Sequence, residues 1–164
     1  MKKNLTIILF TLCCSSCSTI SSIWPFGDDI KPSPQLVVNI TAHNNINPNL
    51  AGVASPIELR LYQLNDSEAF SQTDFISLYT DPQGALKAGL LSARNLSSIF
   101  PGQSKKFTYP LNAQTQFIGI IAAFADYRQA KTKGIYKVLL SHGAIININL
   151  DGLNLSVSGE IEDK

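Results

Sequence analysis

Residues 144–158 read Ala144-Ile-Ile-Asn-Ile-Asn-Leu-Asp-Gly-Leu-Asn-Leu-Ser-Val-Ser158. Ala144, Ile146, Ile148 and Leu150 alternate with Ile145, Asn147 and Asn149, and Leu153, Leu155 and Val157 alternate with Asn154, Ser156 and Ser158. A period of two puts every second side chain on one face of a strand, so both runs predict strands with one apolar and one wet face. Between them, Asp151-Gly152 is a two-residue hairpin signal, because glycine takes the positive φ that primed turns demand. One β-hairpin with a single buried face needs a second sheet to cover it.

The rest of the chain supplies that second sheet. Leu36, Val38 and Ile40 alternate with Val37, Asn39 and Thr41, and Ile57, Leu59 and Leu61 with Glu58, Arg60 and Tyr62. Phe117 to Phe124 is apolar at every position, the pattern of a central strand buried on both faces. Strands are also predicted near Leu91 to Ile99 and Lys105 to Leu111, joined at the Pro101-Gly102 turn, with a weaker one at Tyr136 to Leu140. About eight short strands imply a mainly β, two-sheet sandwich. The segment from Ser67 to Ala88 breaks the pattern. Phe70, Asp74, Phe75, Leu78 and Tyr79 follow a helical period, and Ser71 and Asp74 have capping-box spacing. Asp81-Pro82 opens a second short helix, with Pro at its first position and Leu86 and Leu90 as its apolar stripe.

The N-terminus has a different logic. Lys2 and Lys3 precede an apolar run from Leu5 to Leu12, and small residues Ser15 and Ser16 precede Cys17. A positive stub, a short apolar core and small residues before the cut are the parts of an export signal, too short to persist as a membrane span. Residues 1–16 are read as a lipoprotein signal peptide and Cys17 as the acylated first residue of the mature chain. The usual lipoprotein box has Leu where Cys14 stands. Once Cys13 and Cys14 leave with the signal, Cys17 has no partner for a disulfide, and acylation removes an exposed thiol from an oxidising compartment. Ser18 follows, where inner-membrane retention takes Asp, so the anchor is expected in outer-membrane lipid. Residues 17–34 form a flexible linker rich in Ser and Pro, reaching at most roughly 55 Å. Trp24, Pro25 and Phe26 within it either pack under the domain or rest at the lipid headgroups. Residues 35–164 are the periplasmic sandwich domain.

Composition and motifs narrow the function. The formal charge is +1 and charged residues make up 15% of the chain, without a basic patch, so nucleic acid is not an expected partner. His43 and His142 lie far apart, neither in a metal-ligand spacing, and no nucleophile elbow or Gly-rich phosphate loop is present. No catalytic residue, metal or cofactor is assigned. Asp126, Tyr127 and Arg128 form a polar cluster at the end of the buried strand, read as an ion-pair or hydrogen-bond cluster. Binding remains. Between two strands read as a pair lies a connection of fourteen residues, 42–55 (AHNNINPNLAGVAS), where hairpin loops usually run about two to five. Its amides, Asn44, Asn45, Asn47 and Asn49, and its apolar Ile46, Leu50 and Val53 are the candidate partner-binding residues. Ile46 and Leu50 are the leading anchors, since no strand pattern takes them up. Closure entropy changes slowly with length, so shortening the loop to a tight turn is expected to leave the domain folded.

These segments also resemble a known family. Pro56-Ile-Glu-Leu-Arg-Leu-Tyr-Gln-Leu64, then Phe70, Thr73-Asp74-Phe75 and Leu78-Tyr79, then Pro101-Gly102, then Gly119-Ile-Ile-Ala-Ala-Phe-Ala-Asp-Tyr-Arg128 are similar in order and spacing to the type VI secretion lipoproteins, the TssJ or VasD family. The family often has Ala where Thr73 stands, and Trp-Arg where this chain has Gly134-Ile135-Tyr136-Lys137. The resemblance implies a transthyretin-like β-sandwich with a short helical insertion and no catalytic activity. It implies a place in the secretion system's membrane complex at the periplasmic face of the outer membrane. There the domain would hold the periplasmic C-terminal domain of the large TssM (IcmF or VasK type) inner-membrane subunit, and through it a TssL-type partner. It implies too that the loop at 42–55 takes part in that contact. The competing reading is a stand-alone periplasmic lipoprotein that binds a small ligand or inhibits an envelope enzyme. A deep apolar pocket would favour the ligand binder, and a filled core with a protruding loop the adaptor.

Overall fold

The computed structural model describes residues 34–139 and 143–160. The signal peptide, Cys17, nearly all of the linker and His142 lie outside them. In chain order the elements are β1 (Gln35–Ala42), β2 (Leu59–Leu64), α1 (Glu68–Gln72), α2 (Phe75–Thr80), α3 (Pro82–Leu86), a 3-10 turn (Lys87–Gly89), β3 (Leu90–Asn95), β4 (Ser104–Pro110), β5 (Phe117–Ala122), β6 (Lys133–Lys137), β7 (Ala144–Asp151) and β8 (Asn154–Glu160). They build two four-stranded sheets, β4-β1-β7-β8 and β3-β2-β5-β6. All pairings are antiparallel except β1 with β7, which run parallel from Leu36 beside Ala144 to Ala42 beside Leu150.

The alternation explains the packing. Leu36, Val38 and Ile40 of β1 and Ile146, Ile148 and Leu150 of β7 meet Leu59 and Leu61 of β2 and Ile118 and Ile120 of β5 in one filled core between the sheets. The second sheet is also covered outside. Tyr62, Leu64 and Ile121 face Phe70, Leu78 and Leu86 from the three helices. That outer layer is why β5 is apolar at every position and why β2 is almost wholly buried. Gly119 sits beneath Phe70, where an added β-carbon would lie 2.7 Å from the ring. Tyr62 donates its hydroxyl to the Leu78 carbonyl at 2.9 Å. Lys133, from β6, donates to the carbonyls of Phe70, Ser71 and Thr73 at 3.3, 3.0 and 2.7 Å, at and just beyond the C-terminal end of α1. Those carbonyls have no donor within so short a helix, and the ammonium supplies one.

Several local expectations shift. The strands flanking 42–55 do not pair: β1 and β2 belong to opposite sheets, so the loop is a crossover and not a hairpin connection. The expected tolerance to shortening rested on a hairpin connection, whereas a crossover must span the roughly 10 Å between packed sheets. Pro101-Gly102 likewise sends the chain from one sheet to the other. Ser71 lies inside α1, where its hydroxyl donates to Ser67 O. Asp74 alone caps α2, accepting from the Ser77 N–H at 3.0 Å, and this hydrogen bond lowers its carboxyl pKa. The sixth strand begins at Lys133, earlier than expected, and Leu90 opens β3 rather than closing a helical stripe. The β7–β8 turn is Gly152-Leu153, one residue later than read, with Gly152 at φ 56°.

Candidate partner-binding site

Four connections gather at the end of the sandwich where β1 finishes: 42–55, the 100–103 turn, the segment after β5, and the β7–β8 turn. Backbone hydrogen bonds stitch their bases together. Ala42 N donates to Gln103 O at 2.9 Å, Gly102 N to His43 O at 3.2 Å, and His43 N to Leu150 O at 2.9 Å.

The first half of the long loop is structural. Ile46 has 0% of its surface exposed and belongs to the core between the sheets. The expectation that it had no core to enter is corrected: a crossover between sheets passes over the open end of the core, and Ile46 plugs it. Asn47 is 5% exposed and stands at φ 47°, a left-handed conformation that asparagine tolerates better than most residues. Its amide donates to Pro56 O at 2.8 Å and accepts from Ala125 N at 2.7 Å, while its own N–H donates to Gly152 O at 2.9 Å. Asn45 is exposed but occupied. It donates to the Asp151 carboxylate at 2.8 Å and accepts from Gly152 N at 3.2 Å. Asn44 is exposed beside Gly102, whose φ of 73° and close approach to the Asn44 amide exclude a side chain there.

The second half projects. Asn49 shapes a compact turn: its side-chain oxygen accepts from Ala51 N at 2.9 Å and Val53 N at 3.0 Å, and its carbonyl accepts from Gly52 N at 2.8 Å. Asn49 N donates back to Val53 O at 2.9 Å. This self-contained knot holds Leu50 at 110% relative exposure and Val53 at 60%. Of the seven residues chosen from sequence, Leu50 and Val53 therefore present apolar surface and Asn44 open amide groups. Asn45 and Asn49 hold the loop's shape, and Ile46 and Asn47 serve the fold.

Sequence reasoning missed the neighbours. Pro48, Asn49 and Leu50 form one wall of an open cleft of about 600 Å³ whose other wall is Ala125, Asp126 and Leu153. Phe100, half-exposed, stands on the adjoining turn. Asp126 was visible as a polar residue ending a buried strand, but nothing local says that it faces the loop. Among the described residues no group of three His, Cys, Asp or Glu is placed to hold a metal.

The fold defines a class first: a two-sheet β-sandwich with three short helices laid on one outer face, its end closed by a long crossover loop. A family model described as type VI secretion lipoprotein (VasD, EvfM, TssJ) matches residues 34–153, and the chain belongs to that family. The type VI secretion lipoprotein TssJ1 from Pseudomonas aeruginosa superposes with a TM-score of 0.74 at 26% identity, covering 80% of this chain and 100% of that one. Lip from Serratia marcescens, a membrane-bound component of the type VI secretion system, gives a TM-score of 0.65 at 18% identity over 80% and 99% of the two chains. A chain in a structure of the TssM C-terminal domain from EAEC gives 0.59 at 20% identity over 77% and 98%. No curated protein matches. The family is one of structural lipoproteins not known as enzymes, and the chain is a membrane-associated lipoprotein of type VI secretion.

Proposed function

We propose that this lipoprotein tethers the periplasmic C-terminal domain of a TssM-type inner-membrane subunit, and indirectly its TssL-type partner, to the outer membrane. The acylated Cys17 sits in the periplasmic leaflet, residues 17–34 lead down to the domain, and the loop tip at 49–53 grips the partner. One observation carries this reading. The loop leaves β1 at the end opposite Pro34, one strand length or about 26 Å away at strand rise. Two further features support it. The buried side chains of both sheets form one core, and Leu50 stands bare on a hydrogen-bonded turn, the form of an apolar anchor.

The test is capture of the cognate TssM-type periplasmic domain by full-length protein in detergent micelles. Leu50→Asp places a charge at the centre of the contact and is expected to abolish capture with the melting temperature unchanged, because Leu50 buries nothing within the domain. Capture undiminished by Leu50→Asp moves the interface away from the loop. No capture by the unaltered protein overturns the adaptor reading itself.

A further inference from the structure

The cleft beside the loop tip has a composition that selects what enters it. Its walls are Pro48, Leu50, Ala125 and Leu153, and its polar groups are Asn49 and Asp126. The Asn49 side-chain oxygen is already taken by Ala51 and Val53 N–H. The Asp126 backbone carbonyl is taken by Gln129 and Ala130 N–H at 3.3 and 3.1 Å. Asp126 as a residue is partly buried, and among the described residues its carboxylate accepts no hydrogen bond. Arg128, two residues on, lies 5.9 Å from the centroid of the Tyr127 ring and makes no hydrogen bond to Asp126 among the described residues. The second carboxylate at this end, Asp151, is engaged by Asn45.

Resting on the partner contact proposed above, we propose that this cleft receives an apolar side chain of the partner followed closely by a lysine or arginine, whose cation pairs with Asp126. A carboxylate without a donor beside apolar cleft walls favours a cation that brings its own N–H groups, and it repels an acidic partner segment. The apolar walls reward a buried aliphatic or aromatic side chain next to that cation. Both walls are already fixed. Asn47 ties the loop to Ala125 and, through its N–H, to Gly152; Lys131 N–H ties Leu153 down at 2.9 Å. The cleft, about 600 Å³ and open to solvent, is large enough for one such side chain.

The experiment titrates full-length protein in detergent micelles with the cognate TssM-type periplasmic domain, at low and high salt. Three variants are compared with the unaltered protein. Ala125→Trp fills the cleft, Asp126→Asn keeps its shape without the charge, and Leu50→Asp disrupts the tip. Melting curves check folding, and Ala125→Met replaces Ala125→Trp if the larger side chain lowers the melting temperature. The cleft is supported if filling it weakens binding and Asp126→Asn weakens it at least about tenfold while flattening the salt dependence. Native affinity in both cleft variants, with Leu50→Asp still null, overturns the cleft and leaves the loop contact standing. If the unaltered protein does not bind, the contact and the cleft fall together.

Discussion

Truncating Ile46 to alanine should unfold the end of the sandwich rather than merely blunt an interface. The side chain is wholly buried among core residues from both sheets, so the change leaves a cavity where three carbon atoms were. Large-to-small substitutions of this kind cost about 2–5 kcal/mol, and a value near the middle, about 3 kcal/mol, suits a site at the rim of the core. The structure describes 124 residues of the domain, 106 in 34–139 and 18 in 143–160. At about 2.1 cal/mol/K of unfolding entropy per residue, 3 kcal/mol lowers the midpoint by about 11 °C. Thermal melts followed by circular dichroism measure this directly, with Leu50→Ala as the control that should melt like the unaltered protein. An Ile46→Ala variant that also melts unchanged, or a Leu50→Ala variant that loses as much, would refute the division of this loop into a structural half and a presenting half.

Gly119→Ala forces a β-carbon against the Phe70 ring and should cost about 1–3 kcal/mol, read as a lower denaturant midpoint with an unchanged slope. Asp74→Asn tests the cap on α2: the folded carboxyl pKa lies below its ordinary 3.8, so its contribution is present above that value and lost as pH falls through the folded pKa. The unaltered protein should therefore lose more stability on acidification than Asp74→Asn, and equal acid sensitivity would count against the capping role. Cys17→Ser should abolish incorporation of a labelled fatty acid and release the protein from the outer-membrane fraction, whereas persistent label would reassign the anchor.

Local pattern revealed the elements and not their company. Period-two alternation located β1, β2, β7 and β8, and the uniformly apolar 117–124 located a strand covered on both faces. Asp81-Pro82 located α3, because a proline lacking its N–H fits the first turn of a helix. Alternation cannot say which sheet a strand joins, so β1 and β2 looked like neighbours. Ile46 and the engaged asparagines of the loop escaped the sequence for the same reason. Asn45 reaches Asp151 across 106 residues, and Asn47 reaches Ala125 across 78. A run of asparagines in a loop looks like open amide surface until the distant groups that use them are in place. Ile46 carried one signal, a β-branched apolar residue among amides. Without the crossover topology, that signal suits a plug and an anchor equally.

The parallel pairing of β1 has a mechanical consequence. β1 is an inner strand, hydrogen-bonded to β4 on one side and β7 on the other along nearly its whole length. In a protein anchored and gripped as proposed, tension enters at Pro34 and leaves through the loop that follows Ala42, so β1 lies on the line of force. Such a pull loads two ladders in shear, and their hydrogen bonds must yield together rather than peel open one at a time. Resistance to forced unfolding is governed by the unfolding rate and not by equilibrium stability. A strand clamped on both flanks is therefore suited to bear repeated jolts between two membranes, even in a domain of ordinary thermal stability.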